Sequence, residues 1–176
     1  MEDALAIIEK IIEEHKTITE KLQNFEQVAN DAEALTGFDK AKDSFMPGRL
    51  EGKKGLESFD QLLDTITEGI HGHFSREEGA LMHVFEEHGD RKLSADLNSL
   101  LLEHKELRDR LASTKQDTDK LLNGQLPGQV WQALAQDMRA YVTHTRKLFE
   151  VHAAVEQKLL HTLRSELKQK SGNGGG

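Results

Sequence analysis

The feature that most constrains the fold is a set of four long stretches in which apolar residues recur every three or four positions. The clearest stretch lies between residues 56 and 87. Its stripe positions are Phe59, Leu63, Ile66, Ile70, His73, Glu77, Ala80 and Val84. This spacing places one continuous stripe on a single face of an α-helix. An imidazole and a carboxylate therefore stand where the pattern requires core residues, and a buried carboxylate is costly unless it is paired or bound to a metal.

Three further stripes complete the predicted architecture. Residues 3–30 carry one, residues 92–122 carry another, and the last begins at Pro127, a residue tolerated in the first turn of a helix. Gly89 and Gly124 predict short links, whereas residues 31–54 lose the pattern and predict a long irregular connection. The sequence therefore predicts an all-α, antiparallel up-down-up-down four-helix bundle over residues 1–170, followed by a flexible tail at 171–176.

Composition narrows the class of function. The chain has 176 residues, enough for one domain with a sizeable core, and a formal net charge of -8, which argues against nucleic acid or an anionic membrane as a partner. It has no cysteine, which excludes disulfides, iron–sulfur ligation and thiol catalysis. Neither a signal peptide nor an apolar stretch long enough to cross a bilayer is recognisable, so we expect a cytoplasmic protein.

Each predicted helix interrupts its apolar stripe with a histidine, and two of them add a carboxylate one turn later. The six residues are His15, His73, Glu77, His104, His152 and Glu156. An α-helix rises 1.5 Å per residue, so the distance of each residue from its helix end can be calculated. These distances place the six residues close to one level of the bundle, with the poorest agreement between the third and fourth helices. Six clustered buried polar groups need a shared partner, so we interpret them as a metal site.

The spacing alone would be weak evidence. With nine histidines and 31 acidic residues, about 1.6 pairs of a histidine and an acid four residues apart are expected by chance. Three occur, and the third, His83–Glu87, lies off the stripe and is expected to be exposed. Glu78 and Glu103 either support the site from outside the six residues or are solvated, and we expect them to be solvated. Four imidazoles and two carboxylates without a thiolate suit iron, with manganese or zinc as alternatives, and shared carboxylates can bridge a metal pair.

The local motifs are Glu14-His15, His73-Phe74-x-x-Glu77-Glu78-x-x-Leu81-Met82, Glu103-His104-x-x-Leu107-Arg108 and His152-x-x-x-Glu156. On these motifs, nearly the whole chain resembles the hemerythrin family in its HHE cation-binding branch. The resemblance implies two iron ions joined by an oxo or hydroxo bridge. It implies His15, His73, His104 and His152 as terminal ligands and Glu77 and Glu156 as bridging ligands, and we predict no separate catalytic residue.

Two departures from the oxygen-carrying hemerythrins bear on function. This chain resembles those proteins, but they have a further histidine one turn before the position of His104. This chain has Leu100 there. They also have an aspartate five residues after a helix-four histidine, whereas His144 is followed at that distance by Phe149. The resemblance therefore implies a centre that binds or reacts with O2, NO or peroxide, in gas or redox sensing or in iron-centre repair and stress response. We favour a non-enzymatic metal- and O2-binding protein.

Three alternatives stay open at this stage. The chain could be a metal buffer, or an interaction bundle without metal in which the histidines form a pH-sensitive core. A ferritin-like protein needs Glu-x-x-His on two helices, and only Glu68-x-x-His71 fits. No protein partner can be identified. The expected walls of a gas pocket are Ile11, Ile12, Phe74, Leu100 and Leu148.

Overall fold

The structure, a computed structural model, describes residues 1–34 and 48–173, and the side chains of 1–29 and 55–173. Helix one is Glu2–Ala34. Helix two comprises Gly48–Arg76, a π-helical turn at Glu77–Leu81, and Met82–His88. Helix three comprises Arg91–Leu101 and His104–Asn123, and helix four is Gly128–Asn173. The described part of the chain contains no strand.

The four helices form the predicted antiparallel bundle. Helix one packs against helices two and four, and helix three packs against the same two neighbours. A β-carbon at either link glycine, Gly89 or Gly124, would collide with the carbonyl oxygen four residues earlier, which explains the residue type at each helix end. Asp90 then starts helix three by accepting a hydrogen bond from the backbone N–H of Leu93 at 2.7 Å. Within the described ranges, no helix is long and apolar enough to cross a bilayer.

Two apolar clusters make up the core, and a polar layer separates them. In helix one, the cluster at one end includes Ala4, Ile8 and Ile11, and the cluster at the other end includes residues from Ile18 to Ala29. In each of the other helices, the residues on either side of this level also belong to different clusters. Buried histidines or glutamates lie between them. The core is therefore interrupted at one level of the bundle, where each helix contributes at least one ionisable side chain.

The ends of the predicted elements differ from those observed. Helix one continues to Ala34 and helix two begins at Gly48, so both extend into the connection predicted at 31–54. The remainder of that connection, 35–47, lies outside the described residues. Helix four continues to Asn173, so the predicted tail is helical at 171–173, and 174–176 lie outside the described residues.

The π-helical turn changes which residues of helix two face the core. The stripe predicted at Ala80 was wrong, because Ala80 is exposed and Leu81 is fully buried in its place. A π turn takes up one residue more than an α turn, so the inward face advances by one position after Glu77. The stripes predicted through Ile12 in helix one and Leu148 in helix four are also one position off, because Ile11 and Phe149 are the more deeply buried residues there.

Candidate metal centre

The polar layer contains all six side chains that the sequence singled out. His15, His73, Glu77, His104, His152 and Glu156 are each at most 3% exposed. Helix one contributes one of them, helix two a histidine and a glutamate, helix three one, and helix four a histidine and a glutamate. The structure thus brings together residues as far apart in the chain as positions 15 and 156.

Glu77 lies between two pairs of histidines. Its Oε1 is 3.1 Å from Nε2 of His15 and 2.5 Å from Nε2 of His73. Its Oε2 is 2.9 Å from Nε2 of His104. One carboxylate therefore presents one oxygen to each side of the layer. This is the placement that a ligand shared by two cations requires.

Glu156 enters the layer from helix four and contacts both histidine pairs through one oxygen. Its Oε2 is 3.3 Å from Nε2 of His15 and 3.5 Å from Nε2 of His152. The ring centroids of His15 and His73 are 4.9 Å apart, and those of His104 and His152 are also 4.9 Å apart. The layer therefore consists of two histidine pairs of equal spacing with two carboxylates between them.

Several of these buried atoms lack a hydrogen-bond partner despite their closeness. They are Nδ1 of His15, Nε2 of His73, Oε2 of Glu77 and both carboxylate oxygens of Glu156. Buried polar atoms are nearly always satisfied, and an unsatisfied one costs about 1–3 kcal/mol. Two sets of ligand-type atoms lie within 4.8 Å of one another, His15–His73–Glu77 and Glu77–His104–His152. In each group, imidazole nitrogens and carboxylate oxygens point into the same space. These atom types are suitable ligands for a cation.

The outer nitrogens of three imidazoles contact carboxylates. Nδ1 of His73 donates to Oε2 of Glu14 at 2.8 Å, and Nδ1 of His104 donates to Oε1 of Glu78 at 2.8 Å. A third contact is between Nδ1 of His152 and Oε2 of Glu103, at 2.9 Å. Such contacts hold an imidazole in the tautomer that leaves Nε2 free to bind a cation.

Comparison with known proteins decides the family. The family model described as Hemerythrin HHE cation binding domain matches residues 6–169. This chain belongs to the hemerythrin family. No curated protein and no solved structure matches it. The match covers nearly all of the four-helix bundle, and the family indicates metal binding for this hemerythrin domain.

Two arginines fix the carboxylates that support the hemerythrin layer. Arg76 donates to both oxygens of Glu14, the shortest contact being 2.7 Å from Nη2 to Oε2. Arg108 donates to both oxygens of Glu78 at 2.7 and 3.1 Å. A two-pronged contact of this kind fixes the plane of the carboxylate as well as its position. The orientation of the imidazoles of His73 and His104 is therefore set by chains of contacts that reach the protein surface.

Aromatic rings close the layer of the hemerythrin domain on the side of the larger core cluster. The ring of Phe74 stacks on His104, with centroids 3.7 Å apart and an interplanar angle of 8°. Phe149 lies edge-on to His15 at 6.4 Å and close to His73 at 6.5 Å. Of the predicted walls, Phe74 is confirmed as a neighbour of the site. Phe149 takes the place expected for Leu148, because helix four presents residue 149 to the core.

The electrostatics of the layer favour protonated imidazoles beside ionised carboxylates. Burial disfavours the charged imidazolium, but contacts with Glu156 and Glu77 outweigh burial and raise the pKa of His15 to about 9. Burial is likewise outweighed at His152, where Glu156 and Glu103 raise the pKa. Burial would raise the pKa of Glu77, but His104, His15 and His73 hold it well below its usual range. A cation that bound these nitrogens would therefore have to displace protons.

The histidines outside the layer behave as the sequence indicated. His83 is 3.6 Å from Glu87, and both side chains are exposed, at 75% and 59%. His71 and His144 are also exposed. The same i, i+4 spacing thus gives a buried contact at His73–Glu77 and a surface pair at His83–Glu87. Position on the apolar stripe separates the two.

The role of the supporting carboxylates was predicted only in part, because solvation of Glu78 and Glu103 was the favoured expectation. Glu78 and Glu103 remain 39% and 56% exposed, as expected of solvated residues, but each also accepts a hydrogen bond from an imidazole of the layer. The signal was present in the motifs, since Glu14 and Glu103 each directly precede a stripe histidine. The difficulty is that each of these carboxylates contacts the histidine of the next helix, which only the packing of the bundle reveals.

Proposed function

We propose that this hemerythrin domain holds two iron ions and that its centre binds or reacts with O2, NO or peroxide. Its proposed role is gas or redox sensing, or iron-centre repair and stress response. The observation that carries the proposal is the buried layer in which ligand-type nitrogen and oxygen atoms converge without hydrogen-bond partners. In this proposal His15, His73, His104 and His152 are terminal ligands, while Glu77 and Glu156 each serve both ions.

The donor set favours iron over harder and softer cations. Four imidazole nitrogens and two carboxylates suit a first-row transition metal, and no thiolate is available to select zinc or an iron–sulfur cluster. When bound, ferrous ions would supply the electrons that reduce O2 or peroxide and the open coordination positions at which NO binds. Manganese and zinc remain the alternatives.

The protein's own residues limit what can approach the centre. The six side chains are nearly or fully buried, and Phe74 and Phe149 cover their inner side, which admits a diatomic molecule more readily than a bulky substrate. The two buried glutamates provide only two negative charges. Two divalent cations would therefore leave the layer net positive, and this charge favours an anionic ligand such as peroxide or hydroxide.

The ligand set supports reaction over reversible oxygen carriage. Two imidazoles per ion, with Leu100 where the oxygen carriers have a further histidine, leave more coordination positions for ligands than a fully imidazole-capped ion has. A metal buffer is the second candidate function, because the same unpartnered nitrogen and oxygen atoms would serve storage as well as reaction. A metal-free interaction bundle would leave the buried unpartnered atoms without an explanation.

The test is to mix the iron-loaded, reduced protein with O2, NO or hydrogen peroxide in a stopped-flow spectrometer. We expect rapid changes in the near-ultraviolet and visible bands of the centre with at least one of the three. His104→Ala should abolish them, and His83→Ala, which removes an exposed histidine, should not. A reversible O2 complex that autoxidises slowly would contradict the reactive role. An absence of any response with a fully loaded centre would favour the buffer.

A further inference from the structure

The carboxylates that support the imidazoles are arranged in an incomplete ring. Helix one supplies Glu14 to His73 of helix two, helix two supplies Glu78 to His104 of helix three, and helix three supplies Glu103 to His152 of helix four. Continuing the order, helix four would supply a carboxylate to His15 of helix one. Nδ1 of His15 is instead buried without a hydrogen-bond partner.

The missing contact affects one histidine pair and not the other. Both imidazoles of the His104–His152 pair have a carboxylate that accepts from Nδ1. In the His15–His73 pair only His73 has one, and the nearest ring to His15 on helix four is that of Phe149, which accepts no such bond. The two halves of the centre have the same 4.9 Å ring spacing but differ in their outer contacts.

This difference has a known consequence for metal affinity. A neutral imidazole that binds through Nε2 must carry its proton on Nδ1, and an acceptor there fixes the tautomer, orients the ring and raises the basicity of Nε2. Loss of such an acceptor typically weakens metal binding by about 10–100-fold. When a cation binds Nε2 of His15, the N–H group at Nδ1 of the same ring stays buried without an acceptor.

We propose that the two halves of the centre load in a fixed order. The half formed by His104 and His152 takes the first divalent cation. The half formed by His15 and His73 takes the second about 10–100-fold more weakly and is the half that exchanges its ion. The proposal rests on the proposed function only in requiring that the six side chains bind cations. Glu14, Glu78 and Glu103 are positioning residues here, acting through the imidazoles that they contact.

The experiment is a calorimetric titration of the metal-free protein with Zn²⁺, which is redox-inactive, in the presence of a competing chelator. We expect two resolved binding steps whose constants differ by about 10–100-fold. Glu103→Ala should weaken the first step and leave the second, which brings the constants together. Glu14→Ala should weaken the second step and leave the first, which separates them. Exposed glutamates on the same helices, changed in Glu106→Ala and Glu13→Ala, should alter neither step.

Conservative variants distinguish positioning from a general effect on folding. In Glu103→Gln and Glu14→Gln the side-chain carbonyl can still accept from Nδ1, so each should recover part of the affinity that the alanine variant loses. Two Zn²⁺ ions bound with equal constants, or a first step weakened by Glu14→Ala, would overturn the loading order and leave the proposed dinuclear centre intact. Failure of the unmodified protein to bind any Zn²⁺ or Fe²⁺ would overturn the proposed function and this inference with it.

Discussion

Glu77→Gln tests whether both halves of the centre depend on one shared carboxylate. The substitution keeps the shape of the side chain but removes its charge and replaces one oxygen by an amide nitrogen. Glu77 lies 3.1, 2.5 and 2.9 Å from the Nε2 atoms of three histidines, His15, His73 and His104. Each half of the centre would therefore lose an anionic ligand. We expect affinity to fall at least 100-fold, or about 2.7 kcal/mol, because loss of an outer contact alone costs about 10–100-fold.

The assay is thermal unfolding with and without a fixed concentration of metal. At a free metal concentration of about 100 times the dissociation constant, one bound ion stabilises the folded protein by about 2.7 kcal/mol. For a chain of this size, this raises the unfolding temperature by about 5–11 °C. A 100-fold weaker variant would gain about 0.4 kcal/mol, or about 1–2 °C, at the same concentration.

A matched control exists in the same helix. Glu87→Gln changes a glutamate with the same i, i+4 relation to a histidine, His83, but at an exposed position. It should retain the full metal-dependent rise in unfolding temperature. If Glu77→Gln also retained the full rise, the assignment of Glu77 as a ligand shared by both ions would be refuted.

Three further predictions follow from the site and from the π turn. His73→Ala and Glu156→Ala should each lose most of the bound metal by elemental analysis, and a full complement in either would remove that residue from the ligand set. Because the pKa of His15 is raised to about 9, its contribution to folding is complete below about pH 6.5 and is lost as pH rises through 9. The metal-free protein should therefore lose up to about 3 kcal/mol of stability over that range in urea titrations, and His15→Ala should flatten the dependence. Leu81→Ala should destabilise the protein by about 2–5 kcal/mol, whereas Ala80→Ser should stay within about 0.5 kcal/mol, and the reverse order would contradict the π turn.

Sequence periodicity was sufficient to predict the bundle and the residues that meet inside it. The stripe positions of His15, His73, His104 and His152 are buried in the structure, and the off-stripe His83 is exposed. This worked because a helix face is fixed by spacing alone, and because the lengths between links set the level of each residue. That these six residues are metal ligands stays a prediction, as does a cytoplasmic location.

Two local departures from an ideal helix account for the burial of Leu81 and the position of Glu103. The π turn at Glu77–Leu81 carries no composition signal of its own, so the burial of Leu81 in place of Ala80 was not predicted. Residues 102 and 103 interrupt helix three just before His104, and this break places Glu103 beside His152. Spacing within one helix cannot indicate which neighbouring helix a flanking carboxylate will reach.

The metal content of the protein purified from iron-supplied cells, together with its near-ultraviolet and visible spectrum, would decide whether the polar layer is a metal centre. We expect about two iron ions per chain and charge-transfer bands of a ferric pair. A folded protein that takes up no metal from any preparation, with the six side chains still buried together, would contradict this expectation.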